Sequence, residues 1–173
     1  MAMKDNVSTK PQLNQEKEPL HMVGGRDSEE CKRADELFRT LANSSPVGVY
    51  IIQDRRFQYV NPQFQKYQGR SRGELLGMAP LSLVLPEDRD MVRKNAIKML
   101  KGESSSPYEY RAFTKSGETR WVMETVAPIQ YRGRRATLGN YMDITEHKQA
   151  EEALRKEKER AELYLDIAEV MLA

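Results

Sequence analysis

The chain has 173 residues, 39% of them apolar and 31% charged, with a formal net charge of +2. That length holds one domain of ordinary size or a smaller one with tails, and the charged fraction points to polar tails or exposed helices outside a compact core. The balance lacks the basic excess of a nucleic-acid binder, the single cysteine rules out an intrachain disulfide and fits a reducing cytoplasm, and no apolar run approaches the ~20 residues that span a bilayer.

Residues 1–26 are rich in Lys, Gln, Asn, Glu and Pro and read as a disordered leader, with no secretory signal. Residues 27–44 read as a flanking amphipathic helix. Ser28 is placed as its N-cap, Glu29 and Glu30 sit in the first turn, and Cys31, Ala34, Leu37, Phe38 and Leu41 form an apolar stripe. Pro46 stops it.

The run Val47–Ile52, the polar Asp54-Arg55-Arg56 and the run Phe57–Val60 predict a hairpin. Asn61-Pro62 opens a short helix that Gly69 ends, and Ser71-Arg72-Gly73-Glu74 has capping-box spacing. Pro86-Glu87-Asp88 starts the main core helix, which runs to Lys101 with Gly102 as its stop. Three strands follow, Tyr108–Thr114, Arg120–Ile129 and Ala136–Ile144, joined by tight turns into a meander. The order predicts an α+β fold: one five-stranded antiparallel sheet with helices on one face, in a domain over residues 45–145. Residues 146–173 lack Gly and Pro, and Leu154, Ala161, Leu165, Ala168 and Leu172 mark a coiled-coil-like seam. No stop signal precedes Ala173, so this stretch reads as a truncated helix.

Five segments, in this order, carry a family resemblance. They are LANSSPVGVYII from Leu41, FQYVNPQF from Phe57, SRGELLG from Ser71, the set Lys115, Gly117, Trp121, Pro128 and Ile129, and GNYMDITEHKQAEEAL from Gly139. Over about Phe38 to Leu154 the chain resembles the PAS family, in its S-box form with the C-terminal PAC extension. The resemblance implies a sheet of strand order 2-1-5-4-3 and a cavity between the sheet and the helices. It also implies a homodimer through the flanking helices and an effector, such as a histidine kinase or a diguanylate cyclase, in another domain.

The cofactor stays unassigned. Haem-binding members place a His on or near the core helix, whereas the two histidines here are His21 and His147. Covalent flavin chemistry needs a core Cys, and the lone Cys31 lies before the domain. No His/Cys cluster of zinc spacing, nucleophile–base pair or phosphate loop appears, so no enzyme activity is expected. His147 lacks a phosphoacceptor context and reads as a solvated helix residue.

Ile51, Tyr59, Met91, Tyr110, Met123, Thr125, Asn140 and Met142 stand forward as cavity and ligand-binding residues, with Val49 beside them, and strand alternation puts Met123 with Thr125, and Asn140 with Met142, on one face. A plain packed core accounts for the same residues equally well. Trp121 reads as a packing or interface residue. Asp143, Ile144 and Thr145 stand where strand passes into helix, either as a simple helix cap or, as the resemblance implies, as the element coupling sheet to output helix. Two functions stand: a sensor of a small ligand or partner, and a ligand-free interaction module.

Overall fold

The computed structural model describes residues 24–172. Most of the expected leader, residues 1–23, lies outside the described residues. The chain divides into two units, residues 1–38 and 39–173.

The first helix, α1, spans Gly24–Ser44. It begins before Ser28, so Ser28 stands inside the helix rather than capping it, and residues 24–26 are helical rather than part of a leader. Once a helix is nucleated each further residue gains a hydrogen bond, so propagation runs past a local cap signal.

The second unit is built on five antiparallel strands: β1 Gly48–Gln53, β2 Arg56–Val60, β3 Tyr108–Phe113, β4 Thr119–Tyr131 and β5 Arg134–Asp143. Their order in the sheet is β2-β1-β5-β4-β3, as the resemblance implies. The β1–β2 and β4–β5 hairpins turn on two residues each, Asp54-Arg55 and Arg132-Gly133, all with positive φ. That is the type I′ geometry matching the twist of paired strands. A bulge at Gln58 shifts the β1–β2 register, pairing Ile51 with Tyr59 but Ile52 with Phe57. Phe57 and Val60 thereby both join the core.

Between the sheet's two halves the chain makes α2 Pro62–Gln68, α3 Arg72–Leu75, 3₁₀ turns at Pro80–Leu83 and Pro86–Asp88, and α4 Arg89–Leu100. Ser71 and Glu74 form the capping box that their spacing predicts. The last helix, α5, spans Thr145–Leu172. The aromatic rings of Tyr50, Phe57, Phe64 and Tyr141 pack at centroid separations of 5.0–5.4 Å in the core.

Asn61, fully buried, ties this arrangement together. Its Oδ1 accepts from the amides of Val49 at 2.9 Å and Phe64 at 2.8 Å. Its Nδ2 donates to the carbonyls of Ala42 at 2.8 Å and Val47 at 2.9 Å. One side chain thus caps α2, docks the end of α1 and fixes the start of β1. Asn61→Ala leaves two buried amides without acceptors, so it destabilises the domain by about 3 kcal/mol. A urea titration checks this as a lowered midpoint at unchanged slope.

Candidate functional site

The inner face of the sheet, α4 and the Pro80–Leu83 turn enclose a cavity of about 210 Å³. Its wall is mostly apolar: Ile52, Phe57 and Phe64 on one side, Leu83, Val84, Val92, Ala96 and Leu100 on the other, with Val126 and Tyr141 on its floor. A carboxyl group is built into the floor. Glu124 of β4 is 5% exposed and stands between Val122 and Val126 on the inner face.

Three tyrosines converge on this carboxylate. Tyr108 donates its hydroxyl to Oε2 at 2.6 Å, Tyr110 donates to Oε1 at 3.0 Å, and Tyr50 donates to Oε1 in a short bond. Tyr108 and Tyr110 reach it from the adjacent β3. Tyr50 comes from β1, so its ring must pass over the intervening β5. It does so at Gly139, its direct cross-strand partner. A Cβ at Gly139 would lie 2.0 Å from the Tyr50 ring, so only glycine leaves the passage open. On the same floor the Tyr141 hydroxyl accepts from Gln68 Nε2 at 2.8 Å.

Burial pushes the Glu124 carboxyl above the ordinary carboxylate range, and the hydrogen bonds from Tyr108, Tyr50 and Tyr110 offset only part of that. Burial, and then the charge of Glu124, raise the phenols of Tyr50 and Tyr110. A carboxyl whose folded-state pKa is raised holds its proton more tightly in the folded than in the unfolded chain. It therefore costs stability as pH climbs above the unfolded value of about 4.3. Glu124→Gln removes that cost, so its stability relative to wild type rises between pH 4 and neutrality. Paired urea midpoints across that range check it; a pH-independent difference contradicts it. Gly139→Ala displaces the Tyr50 ring and lowers stability by about 1–3 kcal/mol, measured by thermal melting.

A second cluster joins the sheet to α5. Asp143 Oδ1 accepts from the amide of Thr145 at 2.9 Å and from its hydroxyl at 2.6 Å, while Oδ2 takes Arg120 Nη1 at 2.8 Å. Burial raises the Asp143 carboxyl, but the Thr145 and Arg120 hydrogen bonds outweigh it and hold the pKa below its ordinary value. Trp121 serves both sides of the junction: its carbonyl accepts from the amide of Ile144 at 2.9 Å and its amide donates to Thr145 Oγ1 at 3.0 Å. Over its ring lie Lys148 Nζ at 5.7 Å and Arg111 Cζ at 5.9 Å. Lys148 also pairs with Glu109 at 2.6 Å, and Arg111 is held by two guanidinium nitrogens on Asp88, at the start of α4, at 2.7 and 3.0 Å.

The expected ligand residues divide. Tyr110 lines the cavity. Ile51 pairs with Tyr59 on the opposite face of the sheet, as Val49 pairs with Asn140. Met123 pairs with Met142 and Thr125 with Asn140 across β4 and β5, all on that same outer face. Thr125 and Asn140 border a separate surface recess beside the loop after α4. Tyr59 donates its hydroxyl to Asn43 at 3.1 Å, and Met91 is exposed on α4, where its sulfur accepts from Asn95. For these seven the cavity placement is corrected: on the strands a one-residue phase error moves every side chain to the other face, and Met91 lies one position off the Val92, Ala96, Leu100 stripe by which α4 faces the cavity. Glu124, Tyr50, Tyr108 and Tyr141 are the cavity residues that strand alternation missed. The available signal was a glutamate set between two valines at i±2, opposite a strand carrying two alternating tyrosines.

Among the described residues no group of three or more His, Cys, Asp or Glu side chains is placed to hold a metal ion. No described helix is long and apolar enough to cross a membrane.

A helix-covered cavity on a five-stranded antiparallel sheet, with α5 tied to the sheet at the end of its last strand, defines a small α+β domain. Residues 57–138 match the family model of the PAS fold. The methyl sulfide methyltransferase-associated sensor of Methanosarcina acetivorans is 30% identical over 133 residues, which cover 76% of this chain and 13% of that protein. The blue-light-activated histidine kinase of Brucella ovis is 44% identical over 71 residues, 41% of this chain and 14% of the kinase. A crystal structure of a sensory box histidine kinase/response regulator from Burkholderia thailandensis superposes with a TM-score of 0.55 at 26% identity, covering 74% of this chain and 97% of that one. The chain carries a domain of the PAS family, and it spans about one-seventh of the length of these two curated relatives.

Proposed function

We propose that this PAS domain is a sensory module of a cytoplasmic signalling protein. A small ligand enters the cavity, α4 shifts over it, and the junction at Asp143-Ile144-Thr145 passes the change to α5. The observation that carries this reading is continuity between cavity and exit helix. α4 forms the cavity wall with Val92 and Ala96, and Asp88 beside it grips Arg111. Arg111 lies over Trp121, and Trp121 bonds to both Ile144 and Thr145.

The output is a homodimer whose paired α5 helices drive an attached effector, a histidine kinase or a similar domain. Leu154, Ala161 and Leu165, at spacings of seven and four, are exposed along one face of α5, which supports a partner helix there. The two curated relatives are a sensor and a histidine kinase, which supports an effector of that kind. A second reading, a ligand-free dimerisation module, draws on the three tyrosines that satisfy Glu124 without any ligand.

Filling the cavity by mutation tests the sensory reading without naming a ligand. Spin labels at exposed Glu157 report the distance between the two α5 helices. The expected result is a dimer in which Ala96→Leu changes that distance and Asp143→Ala abolishes the change. A dimer whose label distance ignores cavity filling supports the ligand-free reading instead, and a monomer removes the coiled-coil output. Asp143→Ala also speeds hydrogen exchange in the first two turns of α5 by about tenfold or more, since it removes charged hydrogen bonds worth roughly 1.5–3 kcal/mol.

A further inference from the structure

The polar floor of the cavity has a definite chemical bias. An ionised carboxylate offers about four lone-pair sites. Three are taken: two on Oε1, by Tyr50 and Tyr110, and one on Oε2, by Tyr108. The free site is on Oε2. The three hydroxyls have committed their protons to Glu124, so toward the cavity they present only oxygen lone pairs. Around Glu124 the cavity is therefore a patch of acceptors carrying negative charge. The remaining wall supplies aromatic faces, from Tyr50, Phe57, Phe64 and Tyr108, and aliphatic surface. Arg93, the cationic residue of the wall, is exposed and within 4.0 Å of Asp90. An anionic ligand would meet a buried carboxylate. A ligand with acceptors alone would find no free donor among the three hydroxyls around Glu124; the uncommitted hydroxyl protons of the wall are those of Tyr141, which accepts from Gln68, and Thr137. A ligand carrying N–H donors and positive charge is matched by the patch around Glu124, where it also relieves the cost of a buried, incompletely paired carboxylate.

We propose that the cavity binds a small organic ammonium ion, its N–H groups on Glu124 Oε2 and the tyrosine oxygens and its apolar body against the rings and α4. The volume of about 210 Å³ corresponds to roughly seven waters at ~30 Å³ each. That size admits a body such as a benzyl or short alkyl group. The assignment rests on the sensory reading and names the class of its ligand.

Three isosteric probes separate charge from shape: benzylammonium, benzyl alcohol and benzoate, titrated into the wild-type chain at pH 7. The ammonium is expected to bind about tenfold or more tighter than the alcohol, the worth of a charge-assisted hydrogen bond, and benzoate not to bind. The ring resonances of Tyr108 and Tyr110 shift on titration, which locates the site. Glu124→Gln removes the preference for ammonium over alcohol while the alcohol's own affinity changes little. Equal binding of ammonium and alcohol by the wild type, or shifts confined to residues outside the cavity, overturns the proposal. Because the probe series is read on the wild type, it decides even if Glu124→Gln fails to fold. Benzylammonium binding that leaves the Glu157 labels unmoved keeps this assignment and rejects the sensory reading. Movement of the labels on cavity filling, with no ammonium binding, does the reverse.

Discussion

A carboxylate cannot be buried in an apolar cavity without donors, and the inner face of this sheet is arranged around that requirement. Glu124 draws hydroxyl bonds from three tyrosines on two strands, Tyr108 and Tyr110 on β3 and Tyr50 on β1. The last of these is possible because β5 carries a glycine where the Tyr50 ring must cross. Four strands are thereby fixed in register by one polar group, in addition to their backbone ladders. A hydrogen bond to a charged group is worth about 1.5–3 kcal/mol, and losing one inside a dry site leaves the full desolvation cost behind. The network therefore specifies one packing of the sheet rather than merely adding stability, and it leaves the cavity floor polar while the walls are apolar.

The same economy of means appears where the sheet meets α5. Trp121 is the residue after Arg120 on β4, so the indole faces outward while the arginine reaches Asp143. Its backbone holds Ile144 and Thr145, and its ring sits beneath Lys148 of α5 and Arg111 of β3. Arg111 in turn is fixed by the carboxylate of Asp88 at the start of α4. A displacement of α4 thus has a short physical route, the Asp88–Arg111 ion pair and the Trp121 ring, to the base of the exit helix. The cavity and the helix lie on different faces of the sheet, and this route runs past the β3 edge.

Local chemistry made most of the fold legible from sequence. Asn61-Pro62 reads as a helix start because a capping side chain and a proline suit the first turn, and the Ser71–Glu74 box forms as its spacing requires. The turn at Arg132-Gly133 and the strand pairs around it follow from the same kind of signal. The phase of the strands did not emerge, because both faces of this sheet are apolar. Met123, Met142, Val49 and Ile51 line the outer face as Val122, Val126 and Ile52 line the inner one. Where neither face is clearly polar, alternation cannot say which is inside. Glu124 and the tyrosine hydroxyls then weigh toward the wrong answer, since a charged residue in a strand is ordinarily turned to water. On α4 the stripe Val92, Ala96 and Leu100, at spacing of four, marks the inward face, and Met91 stands one position off it.

The central claim, that a buried carboxylate held by three tyrosines organises the cavity, is tested most directly by a ¹³C NMR titration of the Glu124 side-chain carboxyl. The account predicts that Glu124 titrates above the ordinary range of about 4.3, with hydroxyl protons of Tyr50, Tyr108 and Tyr110 protected enough from exchange to be observed and moving with the same transition. A Glu124 carboxyl that titrates with the surface glutamates, with tyrosine hydroxyls lost to fast exchange, would contradict it.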